Sequence, residues 1–351
     1  MVRTWPGEIL ERAILMGTQE SGGDRRSSSK KEVKTVEIDG RDNIWSVSFL
    51  ADGKHIVSGG REGRIRRWRV EDGTEVGTPM DAGSIIGSLA VSRDGKWVVN
   101  GTGVCRVTVW DAAVESHSKV KEFKGHSSYV YAVDVSPDAT RMATGSEDGS
   151  AYVWSLPAGE RLLGPLTLGG LAQRGDSVVA VKFSPDGRLI AIATWSRHSV
   201  RIYDGQDGRR LVDVPVQASS SFNQSLAWAC DSKQLFVLTF DGNINCLDVS
   251  TGSALSKWSI HSSHNAKCIA LASNGTFIAA SAGSSVSFWD TTTRKRIGSV
   301  IQHTANIVSM AISANYDMVI GGDKKITLRN LYDVVPSSYY EDVSALTSKT
   351  R

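Results

Sequence analysis

The residues able to do chemistry in this chain are few and poorly grouped. Its seven histidines are His55, His117, His126, His198, His261, His264 and His303. His261 and His264 form an H-x-x-H pair, a spacing that suits two zinc ligands. A catalytic zinc also needs a third ligand and a base, and no Asp or Glu stands nearby, so the pair reads as loop sequence. The cysteines Cys105, Cys230, Cys246 and Cys268 make no C-x-x-C pair, and free thiols in a reducing compartment are expected. No G-x-S-x-G, Walker-type loop or dinucleotide fingerprint occurs. Gly59-Gly60 and Gly101-x-Gly103 are too isolated to cradle a phosphate. Asp52, Asp94, Asp138, Asp186 and Asp231 recur far apart, as turn formers do, and cannot pair as acid and base. The expectation is a protein with no catalytic residues, no cofactor and no metal.

One dense charge cluster stands out. Arg61, Arg64, Arg66, Arg67 and Arg69 fall within nine residues, against the single acid Glu62. One reading is a basic patch for an acidic ligand: nucleic acid, a phosphoinositide headgroup or an acidic protein segment. The other is that the arginine stems lie along neighbouring strands and their heads pair with acids. Strand alternation sends Arg64, Arg66 and Trp68 to one face and Ile65, Arg67 and Arg69 to the other. That splits the cluster and favours pairing. The net charge of +3 over 351 residues is mild and does not call for a nucleic-acid partner.

The elements that must position these residues are clearest between Gly125 and Trp154, which read GHSSYVYAVDVSPDATRMATGSEDGSAYVW. An alternating run, Val130 to Val135, meets a turn at Pro137-Asp138. A second run, Arg141 to Ser146, meets a turn at Asp148-Gly149, and a third closes on Trp154. Period-two alternation broken by such turns marks short antiparallel strands. Three strands cannot bury their own apolar faces, so copies are needed on either side. They are present. Turn residues Asp52, Asp94, Asp138, Asp186, Asp231, Asn274 and Asn315 lie 41 to 48 residues apart. The third-strand ends Trp68, Trp110, Trp154, Tyr203, Leu247, Trp289 and Arg329 lie 40 to 49 apart. Both registers give seven units of a length that suits four-stranded propeller blades.

These units resemble WD repeats. Trp110-Asp111 and Trp289-Asp290 match the naming dipeptide, Tyr203-Asp204 approaches it, and Gly125-His126 matches the Gly-His that opens the repeat. The resemblance covers about residues 34 to 331 and implies an all-β, seven-bladed WD-repeat β-propeller. It also implies a buried polar network in the third unit: His126, Ser146, Asp148 and Trp154. A Trp filling the space between blades needs an acceptor for its indole N–H. Other units depart from this pattern. Gly60 stands for the Ser in the first, Val104 for the Asp in the second, and Leu247 and Arg329 for the Trp in the fifth and seventh.

Three regions follow. Residues 1–33 are expected to be a disordered or partly helical extension, with Ile9, Leu10, Ala13, Ile14 and Leu15 near helical spacing and a polar, basic stretch from Ser21 to Lys31. Residues 34–331 form the propeller, and 332–351 a polar tail whose packing the sequence leaves open. The seventh unit supplies only three strands, so Lys34 to Ile38 is expected to complete its blade and close the ring. Glu8 to Met16 is too short and too charged for a secretory signal, and no apolar run is long enough to span a bilayer. An intracellular protein, in cytoplasm or nucleus, is expected.

The resemblance also implies where partners bind. The loops joining blades, and those between second and third strands, share one face that the family often uses for partners. It places Arg41, Asn43, Trp45, Tyr129, Tyr131, Phe222, Asn265 and Lys267 before first strands. Arg61, Glu147, Trp195 and Phe240 fall at the other loops. Aromatic and arginine side chains dominate interface energies; partial burial against an adjacent loop is the competing fate of each. The functional expectation is a non-enzymatic scaffold binding a peptide or protein segment on this face, as a monomer or within a hetero-complex. The alternative is acidic-ligand recognition through the first-unit arginines. The Phe-Arg-Arg-Gly motif of phosphoinositide-binding propellers is absent. So is the Trp-Asp-x-Arg box of ubiquitin-ligase receptors, since Ala113 and Thr292 follow the Trp-Asp pairs.

Overall fold

Alternation along Val130–Val135 puts Val130, Ala132 and Val133 in the interior. The strand then turns over Pro137-Asp138 to pair antiparallel with Arg141–Ser146. The same physics repeats around the molecule. The computed structural model describes residues 35–39, 41–112, 118–166, 177–195, 199–216, 218–219, 224–260 and 266–340. The compact unit to which they belong extends from Val33 to Arg351.

In chain order, β1 is Thr35–Asp39, and blade 1 holds β2 (Ile44–Phe49), β3 (His55–Gly60), β4 (Arg64–Arg69) and β5 (Met80–Asp81). Blade 2 holds β6 (Ile86–Val91), β7 (Trp97–Thr102), β8 (Arg106–Asp111) and β9 (Lys119–Lys124). Blade 3 holds β10 (Val130–Val135), β11 (Arg141–Ser146), β12 (Ala151–Ser155) and β13 (Arg161–Leu163). Blade 4 holds β14 (Val178–Phe183), β15 (Leu189–Thr194), β16 (Val200–Asp204) and β17 (Arg210–Val214). Blade 5 holds β18 (Leu226–Trp228), β19 (Gln234–Leu238), β20 (Asn243–Asp248) and β21 (Ala254–Ser259). Blade 6 holds β22 (Ala266–Leu271), β23 (Phe277–Ala282), β24 (Ser285–Asp290) and β25 (Arg296–Gln302). Blade 7 holds β26 (Ser309–Ile312), β27 (Asp317–Gly322) and β28 (Lys325–Asn330). Its fourth strand is β1, which pairs antiparallel with β28 from Thr35 opposite Arg329 to Asp39 opposite Lys325. The chain's first described strand thus closes the ring. Lys34 itself lies outside the described residues.

The first strand of each blade lies innermost. Each touches its two neighbours in turn, β2 to β6 to β10 and onward to β26 and back to β2. Hydroxyls staple several of these steps. Ser46 Oγ accepts the Leu89 N–H at 3.0 Å, and Ser309 Oγ accepts the Val47 N–H at 3.1 Å. Between blades 3 and 4 a carboxylate takes that part: Asp134 Oδ2 accepts the Phe183 N–H at 2.8 Å, and Oδ1 meets Lys182 Nζ at 3.2 Å. The inner strands surround a central channel of about 340 Å³, lined by alanines such as Ala90, Ala227, Ala270 and Ala311, by larger apolar residues such as Leu89 and Met310, and by the polar Ser48 and Gln224.

Among the described residues no blade has a core of its own. Each apolar cluster straddles a seam, and the third-strand aromatic of one blade points into the preceding blade. Trp68 packs with Val319, Ile326 and Leu328 of blade 7, Trp110 with Val57 and Ile65 of blade 1, and Trp154 with Val99 and Val109 of blade 2. The closing seam needs one glycine in particular. Gly73 has φ +71°, and a Cβ there would come within 2.6 Å of Val36 Cγ1 on β1, so only glycine lets the blade 1 turn lie flat on the closing strand.

The tail, which the sequence left open, packs on blades 6 and 7 as far as Tyr340. Tyr339 Oη donates to Asp290 Oδ2 at 2.8 Å, and its carbonyl accepts from Asn274 Nδ2 and Thr276 Oγ1. Tyr340 sits edge-on to Phe277 and Tyr316. No helix among the described residues is long and apolar enough to cross a membrane.

Candidate interaction face

The turn between second and third strands lies beside the start of the first strand in blade after blade. Arg61 N–H donates to the Asn43 carbonyl, Gly103 to Ile85, Glu147 to Tyr129 and Trp195 to Ser177. These bonds put both sets of loops on one rim, so the residues that the sequence assigned to those loops can be located together. Tyr129 is 43% exposed, Trp195 46% and Phe240 44%. Arg41, Arg61 and Glu147 are exposed, and Asn43, Trp45, Tyr131 and Lys267 are half-buried. Trp45, Tyr131 and Lys267 lie not before the first strands, as expected, but at the second positions of β2, β10 and β22, because pairing begins one residue earlier. Phe222 and Asn265 lie outside the described residues.

The clearest local construction is at the junction of blades 2 and 3. The rings of Tyr129 and Tyr131 are parallel within 2°, with centroids 6.1 Å apart. Tyr129 lies across Gly103, where a Cβ would meet its Cε1 at 2.4 Å. The Thr102-Gly103-Val104 turn, which lacks the usual acid, therefore serves as a flat bed for an exposed ring. Val104 beside it is 51% exposed. Ser128 Oγ donates to Glu147 Oε2 at 2.6 Å, and the Tyr131 phenol also bonds to Glu147. Burial, with Glu147 adding to it, pushes the Tyr131 phenol well above its ordinary value.

The first-blade arginines are mostly spent on internal partners. Arg66 is buried, with Nε on Glu62 at 2.9 Å and a second contact to Glu75. Arg67 reaches Asp52 at 3.6 Å, and Arg69 reaches Asp72 at 2.9 Å. Glu62 lies within the arginine run, Asp72 and Glu75 follow it directly, and Asp52 comes from the turn before β3. Alternation separates Arg66 from Arg67 and Arg69 as expected.

Under the face lies the polar network of blade 3, and here one sequence expectation is corrected. The Trp154 indole N–H donates to Thr144 Oγ1 at 2.8 Å, not to Ser146. His126 Nε2 meets the same hydroxyl at 2.8 Å, while its Nδ1 meets Asp148 Oδ2 at 3.2 Å. Ser146 instead bonds to the Ser128 carbonyl and the Asp148 N–H. The reason is register. Trp154 stands opposite Met142, and Thr144 is one same-face step along; Ser146 is two steps along, beyond an indole's reach. The same step supplies the acceptor in blades 1 and 2: Ser58 for Trp68 and Asn100 for Trp110, both at 2.8 Å. Blade 1 therefore keeps its indole acceptor despite Gly60. In blade 6, Ser287 serves Trp289 at 2.9 Å. His303 is buried, with Nδ1 at the Ala305 backbone.

The four cysteines are free thiols, Cys246 and Cys268 buried. Burial pushes Cys268 up to about 12. Among the described residues no group of three or more His, Cys, Asp or Glu side chains could hold a metal ion.

Comparison with known proteins agrees with the blade geometry. The family description "WD domain, G-beta repeat" matches residues 30–69, 117–155, 169–204 and 252–290. The chain carries WD repeats. Four matched repeats and seven observed blades are consistent, because the third strands of blades 2, 5 and 7 fall outside the matched stretches. These are the units in which Val104, Leu247 and Arg329 replace expected repeat residues. This WD-repeat propeller is also similar to the "Small ribosomal subunit protein RACK1" of Caenorhabditis elegans. The two are 34% identical over 134 residues, which is 36% of this chain and 38% of that relative.

Proposed function

We propose that this WD-repeat propeller is a non-enzymatic interaction scaffold that holds a peptide or protein segment across the rim carrying Trp45, Tyr129, Tyr131, Trp195 and Phe240. The observation that carries the reading is the exposure of Tyr129, Trp195 and Phe240 at loops where a serine or aspartate would serve solubility better. A rigid ring of packed blades supplies the preorganised backing that such a surface needs. The WD-repeat assignment supports protein binding as the general role. The relative's description as a ribosomal subunit protein is in keeping with a protein that works inside a larger intracellular assembly. The partner is a protein, in cytoplasm or nucleus, and Arg41, Asn43, Arg61, Glu147 and Lys267 form its polar surround.

The acidic-ligand alternative is less well supported. Arg64, Arg66, Arg67 and Arg69 already face carboxylates, Arg64 at the long distance of 3.9 Å from Glu62, which weakens the case for a basic patch. The test replaces Tyr129, Trp195 and Phe240 together by alanine and compares captured partners with those of the wild type, after circular dichroism has established folding. Loss of specific partners is expected. An unchanged partner set from the folded variant would reject this face.

A further inference from the structure

Of the surfaces on this rim, the corner formed by Tyr129, Tyr131 and Glu147 has a chemistry specific enough to define its ligand. We propose that it seats an arginine side chain of the bound segment, an inference that rests on the scaffold reading above.

Three observations converge. First, Glu147 is an exposed carboxylate held in one place. Its backbone N–H is fixed to the Tyr129 carbonyl at 2.9 Å, and its side chain accepts from Ser128 Oγ and the Tyr131 phenol. Both donors to its side chain are neutral hydroxyls, which orient the group without cancelling its charge. Second, no Lys, Arg or His forms an ion pair with it among the described residues. Its neighbour in the same turn, Asp148, is by contrast committed to His126. Third, the carboxylate adjoins two parallel tyrosine rings, the outer of which is exposed. Ring faces attract cations. A planar guanidinium can lie on Tyr129 and point its N–H fork at Glu147, whereas an ammonium cannot do both as well. The bed of Gly103 keeps the outer ring in place, since any side chain there would displace it.

The test uses the full chain and a fluorescein-labelled, end-capped hexapeptide, Gly-Ser-Arg-Arg-Ser-Gly. The control is the same peptide with citrulline, a neutral isostere, for arginine. Fluorescence anisotropy at fixed salt should show the arginine peptide binding and the citrulline peptide about fivefold weaker or worse. Glu147→Gln should weaken the arginine peptide by a similar factor without changing Tm. Gly103→Ala should act in the same direction by tilting Tyr129. Equal binding of the two peptides, no binding of the arginine peptide, or an indifferent Glu147→Gln would overturn the arginine seat. If Glu147→Gln is indifferent while the triple aromatic variant still loses its partners, the scaffold reading stands and only the seat fails. If the triple variant keeps all partners, the face itself is wrong.

Discussion

Thr144 serves two buried groups at once. The Trp154 N–H donates to its oxygen, and its hydroxyl proton can go to His126 Nε2. That leaves the Nδ1 proton for Asp148, which only accepts when ionised. Removing the hydroxyl strands both rings, so Thr144→Val should cost about 2–3 kcal/mol. Ser146→Ala, which removes bonds to the Ser128 carbonyl and the Asp148 N–H but strands no buried ring, should cost about 1 kcal/mol. Urea midpoints at unchanged slope would measure both, and the reverse order would return Ser146 to the indole. Asp148 adds a pH signature. Burial alone would raise its carboxyl, but hydrogen bonds from His126, Ser150 and the Ser127 N–H outweigh that and hold it far below the ordinary 3.8. A carboxylate lowered in the folded state contributes stability above its unfolded value and loses it as pH falls toward the folded one. The stability gap between wild type and Asp148→Asn should therefore be constant above about pH 5 and shrink below 3.8. A gap that widens on acidification would contradict the network. At this scale the sequence exposed residue types but not reach. His126, Asp148 and Trp154 were legible as a set, whereas the choice between Thr144 and Ser146 turns on one step of strand register, which composition does not encode.

Strand β1 shows what was legible at the level of elements. The seventh unit was one strand short and a lone run of strand character stood before the first, so the closing pair could be inferred by subtraction. The tail could not. Tyr339 and Tyr340 are held by Asp290, Asn274 and Thr276 of blade 6 and by the ring of Tyr316 in blade 7. Nothing in a polar string of twenty residues announces partners that far back in the chain. The acids around Arg66 and Arg69 were nearer at hand, since Glu62, Glu75 and Asp72 lie three to nine residues from their partners; what the sequence did not show was which arginine each would meet. The role of β1 can be measured. Deleting residues 1–39 removes five residue pairs with β28 and uncovers Ile326 and Leu328. It also removes Ile38, whose burial alone is worth about 2 kcal/mol. Deleting residues 1–30 leaves all of this in place. The longer deletion should lower Tm by several degrees or prevent soluble expression, and the shorter should leave Tm within about a degree. Equal melting of the two truncations would show that β1 does not close the ring.

For the whole molecule, the decisive fact is that every apolar cluster belongs to two blades. Ile56 of blade 1 packs with Val319 and Leu328 of blade 7, and Ile192 of blade 4 packs with Ala143 and Val153 of blade 3. An open stack of repeats can fray from an end, because a terminal unit loses one interface only. A closed ring has no terminal unit, so opening any blade costs two interfaces at once. Unfolding should then be a single cooperative transition wherever the ring is weakened. Ile56→Ala and Ile192→Ala lie in seams on different sides of the disc, and each should cost about 2–5 kcal/mol. Both should move the same urea transition to lower midpoint with its slope unchanged. The chain lacking residues 1–39 gives the contrast. With the blade 7 to blade 1 seam opened, a terminal unit exists again, and a shallower or two-step transition should emerge. If the intact chain with either substitution melts in two steps, the blades are holding themselves up singly, and the shared seams are not what makes the disc rigid enough to present a binding face.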